Sequence, residues 1–503
     1  MVWIHGGAFT SGSGDTTWYG PGYLLDKEIL LVTFNYRLGA LGFLGLSHPE
    51  VSLNNGLKDQ RAALRWIQQN IERFGGDPAQ ITIFGESAGG TSVEYQLISP
   101  STSGLFQRAI SQSGSVLSPW AYVDTATAQT RAQQLTQLLG YTPEDNNDIY
   151  NFLMEASAEN ITIQQSSVIT ERWASDDLAF VPTVEGESES GGEIFLSATP
   201  LEMIKAGKFI RLPYITDNIS SDTLDQLNNK FERFLPYDLN LTIGTNKSQQ
   251  VAALVRETYF GNETASMATV ENYFLTDSLI LEGVHRTVNF RLRYNSPPIF
   301  VYQFSYQGRL GLTNFFHYNF TFPGAGHGDD ISYLFTSSSN IELQSNSTEL
   351  TTIDRMVTLW TNFAKARDLG EGLDLTWEPV EESKQTYLDI NTDLSVQNLL
   401  KLHPERRAVW DLLYSEVDNP VLIISYPLQW PHGLRANLVL DWTAEDGEIG
   451  VQSQPGRVHE FAFKESGKPF WKTTLSISDR DVNLYLLIIG SLIYCENSSH
   501  LSG

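Results

Sequence analysis

Short apolar runs alternate with helical stretches through the first part of the chain. Met1 to Ile4 is apolar throughout and leads into Gly6-Gly7, and Ile29-Leu-Leu-Val-Thr-Phe34 is a second run of the same kind. Both read as strands covered on two faces, because a half-exposed strand would alternate polar with apolar residues. From Leu57 to Phe74 the period changes. Leu57, Leu64, Ile67, Ile71 and Phe74 recur at helical spacing, with Lys58, Arg61, Arg65 and Glu72 between them, which predicts a helix packed on one face. Gly75-Gly76 stops that helix, Asp77-Pro78 turns the chain, and Ile81-Thr-Ile-Phe84 begins the next strand. This order predicts βαβ units and a mostly parallel sheet flanked by helices.

Further along, Asn151 to Leu178 reads as irregular helix and Gly186 to Gly192 as an exposed loop. Pro297-Pro298 precedes a strand at Ile299 to Phe304. Asp354 to Ala366 carries Met356, Val357, Leu359, Trp360 and Phe363 on the broad apolar face of a helix.

Two motifs sit at the ends of predicted strands. Gly85-Glu86-Ser87-Ala88-Gly89 follows the Ile81 strand and opens onto small residues, the strand-turn-helix setting of a nucleophile elbow. A serine hydroxyl is a weak nucleophile until a base lies within hydrogen-bond reach and donors face the oxyanion that forms. His5-Gly6-Gly7-Ala8 follows the first strand, where backbone N–H groups of a glycine loop can face such an oxyanion. Gly324-Ala-Gly326-His327-Gly328 places a histidine among glycines late in the chain, where another loop can approach closely, and His327 reads as the general base.

The chain as a whole adds constraints. With 503 residues, 41% of them apolar, it is able to bury a large core. Lys and Arg number 33 against 59 Asp and Glu, a net charge of −26, so nucleic acid is excluded as a partner, and the negative field either serves solubility alone or favours neutral or cationic substrates over anions. Cys495 is the only cysteine, so no disulfide closes within the chain. Asn-x-Ser/Thr sequons begin at Asn160, Asn218, Asn240, Asn246, Asn262, Asn319, Asn346 and Asn497, a density that suits a secreted glycoprotein. The longest apolar run, Val482 to Tyr494, is too short to span a membrane. Met1 passes directly into Val2-Trp3-Ile4 with no signal-peptide pattern, so either the protein is cytosolic or its front is missing.

The stretch Phe74-Gly-Gly-Asp-Pro-Ala-Gln-Ile-Thr-Ile-Phe-Gly-Glu-Ser-Ala-Gly-Gly90 resembles the active-serine signature of the type B carboxylesterase and cholinesterase family. Asn35-Tyr-Arg-Leu-Gly-Ala-Leu-Gly-Phe43, Leu57 to Arg61, Gln112-Ser-Gly114, Gly324 to Phe335 and Leu359-Trp-Thr-Asn-Phe-Ala364 are similar to other segments of that family. The resemblance implies an α/β-hydrolase fold lacking its first strands. It also implies ester hydrolysis through a serine acyl-enzyme without metal or organic cofactor, acting on a small-molecule ester. Carried onto these positions, it implies oxyanion donors at Gly7, Ala8 and Ala88 with Gly6 beside them, and an acyl-pocket aromatic at Trp120. Glu86, beside the nucleophile, and Ser113 and Asp330 resemble groups supporting the triad.

The third triad member is placed by the same resemblance at Asp222, where the family usually has Glu followed by Gly. Here Thr223 follows and Asp217 stands at another usual glycine. Asp serves as well as Glu, since the acid need only orient the imidazole and stabilise its protonated form. The resemblance ends after Leu413-Tyr-Ser415, giving an expected hydrolase domain over 1–416, its amino-terminal part missing, and an unassigned extension over 417–503. In that extension Val439-Leu-Asp-Trp442 and Glu460-Phe-Ala-Phe463 alternate like strands, while Asn483 to Tyr494 reads as a hydrophobic tail. The rival reading is a non-catalytic adhesion or binding protein on the same fold. The sequence leaves oligomeric state open.

Overall fold

The computed structural model describes residues 1–168, 178–186, 193–216, 231–261, 270–294, 297–312, 324–337 and 341–418, and six further short strands between 426 and 497. The chain divides into two compact units: 1–240 with 254–410, and 241–253 with 411–503.

The first unit is built on an eight-stranded sheet. In chain order its strands are β1 (Val2–Ile4), β2 (Val32–Thr33), β3 (Thr82–Glu86), β4 (Arg108–Gln112), β5 (Tyr214–Thr216), β6 (Ile299–Phe304), β7 (Thr386–Ile390) and β8 (Leu394–Asn398). Their spatial order is β2-β1-β3-β4-β5-β6-β7-β8, parallel from β2 through β7, with β8 returning antiparallel. Ile4 stands opposite Gly85, and Glu86 opposite Gln112. Those three strands therefore end level, and the loops after them open side by side at the carboxyl edge, where open α/β sheets place their sites.

Every residue of β1 and β3 is buried, which explains the unbroken apolar run of β1 and the Ile83-Phe84 centre of β3. The expected strand Ile29 to Phe34 is paired only at Val32–Thr33, where β1 is its single neighbour among the described residues. Helix α1 (Asn55–Asn70) takes up the predicted period, and its last turn tightens to a 3₁₀ turn over Ile71–Phe74 before Gly75 at φ 86°. Helix α2 (Ala88–Ile98) is buried along its whole length. Helix α3 (Glu282–Arg293) follows a π-helical stretch. Helix α4 (Thr348–Ala364) begins six residues before the expected Asp354, because the side chain of Ser347 accepts the Leu350 amide and caps it. The core between sheet and helices gathers Trp3, Phe84, Ile110, Ile215, Tyr302, Trp360 and Leu388.

In the second unit, strands Tyr426–Gln429, Arg435–Thr443, Glu448–Ser453 and Arg457–Phe461 form an antiparallel sheet. The segment expected to be a tail pairs instead as a hairpin, Leu484–Ile489 with Leu492–Asn497, so that its backbone groups satisfy each other.

Candidate active site

Ser87 occupies the turn from β3 into α2 with φ 58° and ψ −124°, outside the regions favoured by a non-glycine residue. Such strain persists only where the surroundings over-determine it. Here the Ser87 amide donates to the Gln112 carbonyl at 2.8 Å, and the Ser87 carbonyl accepts from the Thr91 amide at 2.8 Å. Glycines do the rest. A Cβ on Gly89 would lie 2.1 Å from the Ile4 oxygen, one on Gly90 2.5 Å from the Gln112 oxygen, and one on Gly114 2.2 Å from the Ser87 oxygen. No larger side chain fits, so the helix start seats directly on the backbones of β1 and β4.

The glycine loop meets this elbow from β1. A Cβ on Gly6 would stand 3.2 Å from the Ser87 Cβ and 2.6 Å from the Glu86 carbonyl, so the two loops are in contact. Gly7, Ala8 and Phe9 all have positive φ, 104°, 56° and 57°, and the Gly7 carbonyl closes the turn by accepting the amides of Thr10 and Ser11. The loop is anchored behind by buried His5, whose Nδ1 lies 2.8 Å from the Gly6 oxygen and whose ring stacks on Tyr36 at 4.5 Å. Burial lowers the His5 pKa from its ordinary value, which favours the neutral ring. Ala88, at the first position of α2, belongs to the helix turn whose amides have no intrahelical acceptor.

His327 lies in the loop before a 3₁₀ turn, Asp329–Tyr333, and its Nε2 is 3.1 Å from Glu86 Oε1. The base candidate thus reaches the residue next to Ser87 across 241 positions of sequence. Two carboxylates hold its loop. Asp329 Oδ2 accepts the Gly326 amide at 2.7 Å. Asp330 Oδ2 accepts from Gln112 Nε2 at 2.7 Å and from the Tyr302 hydroxyl at 3.0 Å. Burial pushes the Asp330 pKa up to about 6, opposed by those two donors and assisted by the neighbouring Asp329 charge.

Exposure sorts these groups. Gly7, Ala8, Ser87 and His327 are partly open to solvent, whereas Gly6, Glu86, Ala88, Ser113 and Asp330 beside them are buried. A partly open hydroxyl and imidazole beside buried polar groups suit nucleophilic attack coupled to proton transfer. Trp120 lies beside the glycine loop. Its Nε1 donates to the Leu279 carbonyl at 3.0 Å, and its ring centroid is 6.4 Å from that of Phe9 in the glycine loop. Ser113 is buried with φ 51°, and its hydroxyl has no hydrogen-bond partner among the described residues.

Asp222 lies outside the described residues, in the 217–230 segment that follows β5. Among the described residues no cluster of His, Cys, Asp or Glu is arranged to hold a metal ion, and no helix is long and apolar enough to cross a membrane. Sequence reasoning missed the polar floor: Tyr302 and Trp360 were read only as strand and helix core, and the side-chain role of Gln112 was not foreseen. The adjacent acids after His327-Gly328 were the available signal.

The profile of the Carboxylesterase family matches residues 1–407. The juvenile hormone esterase of Tribolium castaneum is 31% identical over 447 residues, covering 83% of this chain and 75% of that protein. Esterase E4 of Myzus persicae is 34% identical over 400 residues, covering 76% and 71%. Among solved structures, the juvenile hormone esterase of Manduca sexta with OTFP covalently attached superposes with a TM-score of 0.71 at 26% identity, covering 82% of this chain and 80% of that one. The parallel sheet and its flanking helices are those of an α/β-hydrolase.

Proposed function

The chain belongs to the carboxylesterase family and is a serine carboxylesterase, and from that premise we propose that Ser87 is its nucleophile, His327 its general base and Asp222 its acid. The Ser87 oxygen attacks the ester carbonyl carbon as its proton passes to the His327 imidazole. The tetrahedral oxyanion is held by the N–H groups of Gly7, Ala8 and Ala88, with Gly6 keeping the glycine loop against the elbow. Collapse breaks the bond to the alkoxy oxygen, which leaves as the alcohol with the proton from His327. Water, deprotonated by the same imidazole, then attacks the acyl-enzyme, and the bond to the Ser87 oxygen breaks as the imidazole returns the proton to it, releasing the acid. Asp222 orients the imidazole, and Glu86 stabilises its protonated form from the other side. No step calls for a metal or organic cofactor.

The observation that carries this reading is the 3.1 Å approach of His327 Nε2 to the residue preceding Ser87. Covalent attachment of OTFP to the Manduca sexta enzyme supports a covalent route here as well. Trp120 beside Phe9 would bound the acyl side of the site. A net charge of −26 favours neutral or cationic esters. Relatives named for hormone and general esterase activity match at similar identity, which favours a general carboxylesterase over a single-ester enzyme. Exposed sequons at Asn160, Asn240, Asn246 and Asn346 support passage through the secretory pathway. The esterase names of the relatives give the adhesion reading no support.

A fluorophosphonate probe tests the assignment. We expect one adduct, mapped to the peptide containing Ser87 and absent from Ser87→Ala. Folded, unlabelled wild-type protein would refute it.

A further inference from the structure

One residue touches both halves of the site. Gln112, the last residue of β4, accepts the Ser87 amide on its backbone carbonyl at 2.8 Å. Its side chain points the other way along the chain of contacts, donating from Nε2 to Asp330 Oδ2 at 2.7 Å, three residues beyond His327. Its Oε1 accepts from Trp360 Nε1 at 3.1 Å. An indole N–H only donates, so it selects the amide oxygen and turns the NH₂ toward Asp330. Gln112, Trp360, Tyr302 and Asp330 are all buried, away from competing water.

Resting on the reading of Ser87 and His327 as nucleophile and base, we infer that Gln112 is a positioning residue, coupling the elbow to the base loop through Asp330. Its backbone fixes where the hydroxyl starts, and its side chain fixes the turn that anchors the loop carrying the imidazole. Trp360 supplies the orientation and Tyr302 the second donor.

The groups facing Asp330 define a test by pH. Gln112 comes from β4 and Tyr302 from β6, while Asp329 and the Ile331 amide belong to its own turn. His327 Nε2 and Oε1 of the β3 residue Glu86 lie 3.1 Å apart just before that turn. Against the cost of burial, Gln112 is the foremost group favouring the ionised carboxylate.

Gln112→Glu keeps the side-chain length and the acceptor for Trp360 but sets a carboxyl against Asp330. At pH 8 two carboxylates face each other and separate, whereas below pH 6 they share a proton and the contact returns. The rate of fluorophosphonate labelling, measured as a ratio to wild type from pH 5 to 8.5, is expected to fall roughly ten- to a hundredfold at pH 8 and to recover toward unity in acid. Gln112→Leu is expected to stay low at every pH. Gln112→Glu/Asp330→Asn exchanges donor and acceptor across the contact and is expected to label faster at pH 8 than Gln112→Glu alone, with thermal melts reporting the folded fraction of each. A Gln112→Glu ratio flat with pH, or an exchange that restores nothing in folded protein, overturns the coupling while wild-type labelling leaves the esterase site intact. No labelling of folded wild type overturns both.

Discussion

The elbow at Ser87 and the loop at His327 meet through Glu86, yet they are held by different physics. Around Ser87 the restraint is backbone sterics: Gly85, Gly89, Gly90 and Gly114 stand where any Cβ would strike a main-chain atom of β1, α2, β4 or the elbow itself. Around His327 the restraint is side-chain hydrogen bonding to buried carboxylates, Asp329 to its own loop and Asp330 to β4 and β6. Gly324, with φ 99°, has nothing within 4 Å of a would-be Cβ. A sterically built turn fails completely when it is disturbed. A hydrogen-bonded loop fails by degrees, and its tolerance changes with pH.

The sharpest break in that comparison is a pair of glycine substitutions. Gly89→Val is expected to leave little folded protein, since a Cβ 2.1 Å from the Ile4 oxygen cannot be relieved by moving a side chain. Gly324→Ala is expected to cost only about 1 kcal/mol from its positive φ. Circular dichroism and thermal melts of the two variants decide this. Next in size, His327→Gln is expected to lower turnover of a nitrophenyl ester by roughly 10⁵- to 10⁶-fold with an unchanged melting temperature. Asp222→Asn follows, with a loss of roughly 10⁴-fold, and near-normal turnover in that variant would move the acid elsewhere.

Smaller effects separate loop from fold. Tyr302→Phe removes one of the two donors to Asp330, so its carboxyl rises further and the loop weakens by about 1 kcal/mol, read as an acid limb of kcat/KM moved to higher pH. His285 in α3 provides the background, being buried and held well below its ordinary pKa by desolvation and by the nearby Arg407 and His403 charges. Its folded pKa is depressed below 6.5. The unfolded chain therefore takes up the proton first, and stability falls as pH drops below 6.5, by at most about 1.4 kcal/mol per unit. Asp330 and Asp277, raised to about 6 by burial, work in the opposite sense, because the folded chain then binds the proton more tightly. His285→Leu is expected to narrow the difference between melts at pH 7.5 and pH 5 while leaving the pH profile of labelling in place.

Much of this was legible along the chain. The strand Ile299–Phe304, the helical period from Leu57, the elbow and the glycine loop all follow from local pattern, because each is fixed by residues within a few positions of itself. Strands β4, β5, β7 and β8 were not foreseen. Their runs are short, and β8 carries largely exposed residues along Leu394–Asn398, so only pairing with β7 makes it a strand. The start of α4 was missed for a local reason, since the apolar period begins later than the Ser347 cap.

By itself the sequence singled out the residues proposed here to carry chemistry, the serine in its strained turn, the glycines that clear space for it and the histidine among small residues. It did so because backbone sterics act between near neighbours and leave a signature of residue types. Only the tertiary structure decided what surrounds them: that Glu86 faces His327, that Gln112 reaches Asp330 across 218 positions, and that Trp360 turns the amide which makes the reach. Those partners look like ordinary core or polar residues in the chain. Their roles exist only once the parallel sheet brings its strand ends level and burial removes the water that would otherwise take their place.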